Sequence, residues 1–528
     1  MPRIISFVQF VKFVGPEAMT ITRRDFLRLA SLAAASLAAS ACGPVYDRLA
    51  GGDTPIKGWP PITPAFGRGD FQRLNRLTFG PTADERLRVA EIGFNAFVEE
   101  QLAFDSINDD SLNWRLRRFD TLNLKANELY EYGNKLFDDL DKTPVVNELR
   151  QATLIRQVYS RRQLYEIMVE FWSDHFNISV EKGNCWFLKT VDDREVIRKH
   201  ALGSFRDLLG ASAHSPAMMV YLDNQVNDKR HPNENYAREL LELHTLSVNG
   251  GYSQKDVMEL ARCLTGWTVK EHWWLGEFTF NPETHDDGVK TVLGLTIEPE
   301  GQHEVERVVE VLATHPSTAR FIAAKLARRF IADDPPADLV AKAADTFTQT
   351  DGDIQSVLRV ILLDGLPLAQ PKYKRPQTFL ISALRMLNAH VTAGGRNLKP
   401  EHPLLKILSH MGQPPFGWPT PDGYPDVASR WIGNLMPRWQ FALALARNEI
   451  DGTTIDLPAL LCKGEPTCSP PSPHQIVDQL STLLLGAPLD SSARDDLLSA
   501  IQSAGADEET LSQILTAGLI ASPAFQWR

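Results

Sequence analysis

Three polar blocks hold the residue types that could do chemistry. They are Phe171-Trp172-Ser173-Asp174-His175-Phe176-Asn177, the window Asn233 to Leu246, and Thr284-His285-Asp286-Asp287-Gly288-Val289-Lys290. Each carries one histidine with acids nearby: His175 after Asp174, His244 after Glu239 and Glu242, and His285 before Asp286. Imidazole and carboxylate together make an N/O donor set suited to a divalent metal such as Zn, Fe or Mn. On that chemistry His175, Glu239, His285 and Asp286 are the expected metal ligands. Glu239, His244, Asn235 and Arg238 are the expected catalytic group. Glu239 lies near two leucines, where burial raises a carboxyl pKa toward the range a general acid or base needs. Trp172, Asp223, Asn224, Trp267 and Lys290 are the expected substrate contacts.

The same letters have a structural reading. His244 can be a core histidine bonded to a carbonyl, and the acids can pair with Arg238, Arg262 or Lys290. Arg238 stands four residues from both Glu234 and Glu242, the spacing of a helical ion pair. The spacing of the blocks does not choose between the two. The chain has no His-Glu-x-x-His, no Gly-x-Ser-x-Gly elbow, no P-loop and no Gly-x-Gly-x-x-Gly, so nucleotide cofactors have no support.

The elements that must position these residues are mostly helices. At about 100° per residue, Tyr236, Ala237, Leu240, Leu241, Leu243 and His244 share one side of the central window, so His244 is expected to be buried. Asn249-Gly250-Gly251 stops that helix, and Ser253 with Asp256 forms a capping box for an antiparallel partner running to about Leu264. Apolar residues at threes and fours predict one long helix over 144–172, which puts Trp172 and His175 at its C-terminal end. Thr82 is the N-cap of a helix through Val89, and Phe94 to Leu102 is the next. Further helices are expected over Asp192–Leu209, after Ser215-Pro216, through most of Glu304–Leu363, over Pro376–Asn388, and as three short ones in the last 50 residues. Phe278–Phe280 and Lys290–Gly294 read as two short strands around a His285-Asp286 turn.

The stretch 411–425 is rich in Pro, Gly and aromatics and is either a lid or a packed loop. Trp172, Trp186, Trp267, Trp273, Trp274 and Trp418 cluster in or near the blocks. Such rings line polymer-binding surfaces or fill a core, and Trp273-Trp274 is the pair expected to be exposed. The expected fold is mainly α: one large helical domain with a small β-hairpin insertion and long irregular loops.

At this point a family resemblance appears. The chain resembles the bacterial family catalogued as domain of unknown function 1800. The matching stretches are Leu74-Asn75-Arg76-Leu77-Thr78-Phe79-Gly80-Pro81-Thr82, the Phe171–Phe176 and Asn233–Leu246 blocks, and Gly250-Gly251-Tyr252-Ser253 leading to Leu264-Thr265-Gly266-Trp267. His285-Asp286 with Lys290 and Leu293-Gly294, the run Met411 to Pro419, and Ala521 to Gln526 complete the set. The resemblance covers roughly Phe71 to the C-terminus. It implies no activity. It does imply a partner class, because members often occur beside genes for another exported, hydrolase-like protein.

The chain opens with 18 residues that resemble an over-long start before Met19. Thr22-Arg23-Arg24-Asp25-Phe26-Leu27-Arg28 fits the twin-arginine pattern, and Leu29 to Ala41 is a short uncharged apolar segment. Residues 1–42 are therefore an expected twin-arginine signal peptide. Ala39-Ser40-Ala41 fits simple cleavage, and Cys42 admits a lipid anchor. Export places the protein in the periplasm or outside the cell. Residues 43–68, with Gly51-Gly52 and Pro60-Pro61, read as a linker. Residues 69–528 form the family domain: a helical core to about 450, a Cys- and Pro-bearing loop over 452–473, and C-terminal helices over 474–528.

A net charge of −11 and a pI near 5.7 leave no basic stripe for nucleic acid. No second run of apolar residues is long enough to span a membrane. Cys462 and Cys468 are candidates for a disulfide in an oxidising compartment, while Cys185 and Cys263 are expected as buried thiols. Two functions stay open: an exported, metal-dependent, hydrolase-like enzyme using the His/Glu/Asp set, or an exported binding or assembly protein whose motif residues form a structural polar network.

Overall fold

The structure, a computed structural model, describes residues 67–134, 142–271, 275–392, 401–462, 471–502 and 508–528. The expected signal peptide, the linker as far as residue 66, the Trp273-Trp274 pair and Cys468 lie outside them. The fold is mainly α. Among the described residues the only sheets are three short antiparallel pairs. One contiguous apolar core runs from Phe71 to Phe525, with a small satellite of Tyr373, Tyr424 and Trp431.

Local signals set several helix starts. Thr82 accepts from the Glu85 N–H while the Glu85 carboxylate accepts from the Thr82 N–H, a closed capping box that opens the Ala83–Ile92 helix. Ser253 and Asp256 do the same for Gln254–Cys263. That helix packs against Glu234–Leu241, as the antiparallel pairing predicts.

Three expectations need correction. The helix expected over 144–172 is two, Thr143–Tyr159 and Gln163–His175. Ser160 leaves the ladder with extended backbone, and its hydroxyl donates to Asp109 at 2.6 Å. Likewise Asp192–Leu209 is not continuous. A π turn over Asp193–Arg198 follows Cys185–Asp192, and a new helix starts at Phe205 with Ser204 as its N-cap. The two expected strands do not pair with each other. Phe278–Phe280 pairs with Trp267–Val269, and Lys290–Val292 pairs with Leu295–Ile297 across a Leu293-Gly294 turn. Both turn residues have positive φ, 51° and 78°, which matches the twist of a tight hairpin.

Gln163–His175 is almost wholly buried. Pro316–Phe330 packs on the π turn Glu242–Leu246 that ends the central helix, and this brings Lys325 to His175. The stretch 411–425 is a packed loop. Its carbonyls are taken by the N–H of Val180 on Phe416, by Asn177 on Trp418 and Thr420, and by the Tyr221 hydroxyl on Pro419. Gly423, at φ +71°, lies so close to the end of Gln163–His175 that a Cβ there would sit 2.0 Å from the Asp174 carbonyl.

Candidate functional site

The three motif histidines occupy two places. His175, the last residue of its helix, donates from Nε2 to the His244 carbonyl at 3.1 Å and accepts from Lys325 Nζ on Nδ1 at 2.9 Å. Burial first, then the neighbouring Lys325 charge, push its pKa well below the usual imidazole value. His244 sits beside Phe176 and His175, at ring separations of 5.1 and 6.2 Å. Neither of its ring nitrogens has a hydrogen-bond partner, and burial drives its pKa down to about 3. Both imidazoles are neutral near pH 7.

Lys325 is half-buried, and burial lowers its amine to about 8 against the pull of Asp174, with Asp422 and Asp426 adding to that pull. Burial lifts Asp174 to about 6 although Arg375 Nη1 bonds it at 2.5 Å. Arg375 also pairs with Glu170 at 2.7 Å, and Glu170 pairs with Arg329 at 2.5 Å. Both the Lys325 amine and the Asp174 carboxyl titrate near neutrality, where a group can give or take a proton at working pH. That is the chemistry this corner offers.

His285 lies elsewhere. Its Nδ1 donates to the Thr265 carbonyl at 2.7 Å and its Nε2 bonds Glu304 at 3.0 Å. The Glu304 carboxylate also holds Lys290 at 2.7 Å, with all three side chains buried. Burial opposes the charge on His285, yet the Glu304 hydrogen bond wins and its pKa is raised. Asp286 turns away to Arg262, at 2.7 and 3.0 Å, and that pairing lowers its carboxyl to about 2.

The four expected metal ligands therefore do not converge. Among the described residues no three His, Cys, Asp or Glu side chains are grouped to hold a metal ion. The physical reason is that their polar atoms are already engaged: His175 accepts from Lys325, His285 donates to Thr265 and bonds Glu304, and Asp286 accepts from Arg262. Glu239 stands half-buried on its own helix, raised by burial and by Glu242.

Arg238 pairs with Glu234 at 2.9 Å, and Asn235 donates to the Leu222 carbonyl at 3.1 Å. Of the expected substrate contacts, Trp172, Asn224, Trp267 and Lys290 are buried. The Trp172 and Trp267 N–H groups donate to the carbonyls of Ala201 and Gln302, and Asn224 to those of Leu264 and Trp267. Asp223 reaches solvent and pairs with Lys182 at 2.8 Å. Cys185 and Cys263 are buried free thiols, pushed up to about 12 by burial. Cys462 is disulfide-bonded, and Cys468 lies outside the described residues.

Sequence reasoning gave no functional role to Lys325, Glu170, Arg375 or Glu304. One signal for Lys325 was present. It falls between Ile322 and Leu326, with Arg329 a turn later, where the helical period asks for apolar residues. A charge on a core stripe marks a paired or functional group.

A family model described as "Protein of unknown function (DUF1800)" matches residues 72–527. No curated protein and no solved structure matches the chain. The chain belongs to the DUF1800 family.

Proposed function

From that membership, we propose that the protein is exported by the twin-arginine route and acts as a binding or assembly protein, its motif histidines serving structural polar networks. The observation that carries this is an exposed apolar stripe. Ile432, Leu435, Met436, Trp439 and Leu443 recur at threes and fours along the helix Met436–Ala446 and the turn before it, and are 36% to 60% exposed. The other face of the same helix, with Phe441, Ala442 and Leu445, is already spent against Glu508–Ala521. A helix apolar on both faces has one face left for a partner. Trp and Met are the side chains that interfaces favour.

The partner we assign is the exported, hydrolase-like protein that the family resemblance brings with it. Export rests on Thr22 to Arg28 and the apolar segment after it, and the mature chain is periplasmic or extracellular, either free or anchored by lipid at Cys42. No helix among the described residues is long and apolar enough to cross a membrane.

Native mass spectrometry of the mature protein mixed with that partner tests the proposal, beside Trp439→Glu. A complex is expected with the wild type. The variant, melting at the same temperature, is expected to bind at least tenfold more weakly. Wild type and variant binding equally, or no complex at all, would overturn it.

A second reading has its own support in the Lys325–His175 pair: an enzyme that moves protons at this corner. Its test is the titration of Lys325, argued in the Discussion.

A further inference from the structure

The first and last motif blocks of the chain meet at a cleft of about 1060 Å³. Its walls are the helix Arg68–Leu77, the turn near Pro371, the end of Pro473–Leu485 and the segment leading to Arg528. Four arginines line it, Arg68, Arg73, Arg76 and Arg528, against one acidic side chain on its walls, Asp490. Asp490 is already occupied, because its carboxylate accepts the Ala493 N–H at 2.9 Å.

The arginines differ in what they have left to give. Arg76 is buried and donates to the carbonyls of Phe330 and Gln370. Arg528 is 8% exposed, and its Nε and Nη1 have no hydrogen-bond partner. Burial lowers its pKa well below the usual value, and the Arg329 and Arg76 charges lower it further against the pull of Asp426 and Glu170. Asn75 is 4% exposed, and its Oδ1 is likewise unpartnered. Unmade hydrogen bonds on a buried guanidinium cost several times what an ordinary bond returns. A cleft whose walls carry more basic than acidic side chains and leave buried donors unspent is shaped for an anion. Phe71, Leu485, Leu489 and Trp527 supply apolar wall beside it.

We propose that this cleft binds an organic oxyanion, a phosphate or carboxylate carried on an apolar body, with Arg528 at the anion, the Arg76 charge beside it, and Asn75 accepting from a neighbouring donor on the ligand. Guanidinium forks fit both oxyanions through paired N–H bonds. Arg73, more exposed at the rim and paired with Asp70 at 3.5 Å, adds attraction that salt screens. The cleft shares no residue with the apolar stripe, so the two proposals fail separately.

The test is calorimetric titration of the full mature protein with phenyl phosphate, benzoate and phenol. One of the two anions is expected to bind, and raising salt from about 0.05 to about 0.5 M weakens it. Phenol is expected not to bind at the same concentrations. Arg528→Lys, which keeps the charge but loses the fork, is expected to weaken the anion at least tenfold. If that variant does not fold, Arg73→Ala, on the solvent side, decides the matter with an expected loss of at least threefold. Neither anion binding, phenol binding as tightly, or unchanged affinity in the folded variants would each overturn the assignment.

Discussion

His244 sets a pH dependence that one substitution can read. It is neutral in the fold, with a pKa of about 3 against 6.5 when unfolded. Between those values the unfolded chain binds the extra proton, so stability is complete above about 6.5 and falls as pH drops toward 3. At pH 5 the loss from this one group is about 2 kcal/mol. His285 acts in the opposite direction. Its raised pKa gives stability that is present below the unfolded value and lost as pH rises through the folded one. Urea unfolding at pH 7 and pH 5 separates them. The wild type is expected to lose that increment along with one from His175, whose pKa is also lowered, and His244→Phe to lose about 2 kcal/mol less than the wild type. Equal losses in both proteins would remove His244 as the cause. Lys325 offers a second measurement. Acetylation by dilute acetic anhydride, read by peptide mass mapping, is expected to reach half-maximum near pH 8, the value to which burial lowers the amine. If Lys325 instead follows the surface lysines with a midpoint near their usual value, the proton-transfer reading of the Lys325–His175 pair falls.

Helices were legible in the sequence where their signals are local, and illegible where a distant residue decides. The boxes at Thr82 and Ser253 close within four residues, so both starts could be read directly. The break at Ser160 depends on Asp109, 51 positions away, and no periodicity in 144–172 records it. The site follows the same rule. The blocks holding His175, His244 and His285 stood out by composition, and the amphipathic period placed His244 in the core. Their partners come from other elements: Lys325 lies 150 positions from His175, and Glu304 lies 19 from His285. That pairing, invisible in the blocks, is what turns an apparent ligand set into separate ion networks. The packed loop over 411–425 gives the element-scale prediction. At Gly423 a side chain meets both a left-handed φ and the Asp174 carbonyl, whereas at Gly433 it meets nothing within 4 Å. Gly423→Ala is therefore expected to cost about 2 kcal/mol or more, and Gly433→Ala close to nothing. Two variants melting together would show that the loop is not seated on the helix end.

At the scale of the whole molecule, the chain's two motif-bearing ends are structurally one region. The segment Lys372–Lys374 pairs with Gln526–Arg528 through backbone bonds of 2.8 to 3.0 Å. Arg438, fully buried, donates to Gln526 Oε1 at 2.7 Å and to the Lys374 carbonyl at 2.8 Å. Lys374, also buried, has its Nζ 3.6 Å from the centre of the Phe525 ring. Buried Arg438 and the buried Lys374 amine thus both depend on the last four residues. Removing one partner of a buried charge costs about 3–5 kcal/mol, and losing a buried Phe such as Phe525 costs a similar amount. Against a total of about 5–15 kcal/mol for a folded domain, deletion of Pro523–Arg528 is expected to remove most of the stability of the whole core, not only of its C-terminal helices. Urea unfolding followed by tryptophan fluorescence tests this, because Trp172, Trp186 and Trp267 lie in the core far along the chain from the cut. Their transition is expected to shift to much lower urea in the truncated protein. If it stays where the wild type has it, the C-terminal segment folds as an independent cover, and the arginine cleft it closes is a feature added to a domain already complete.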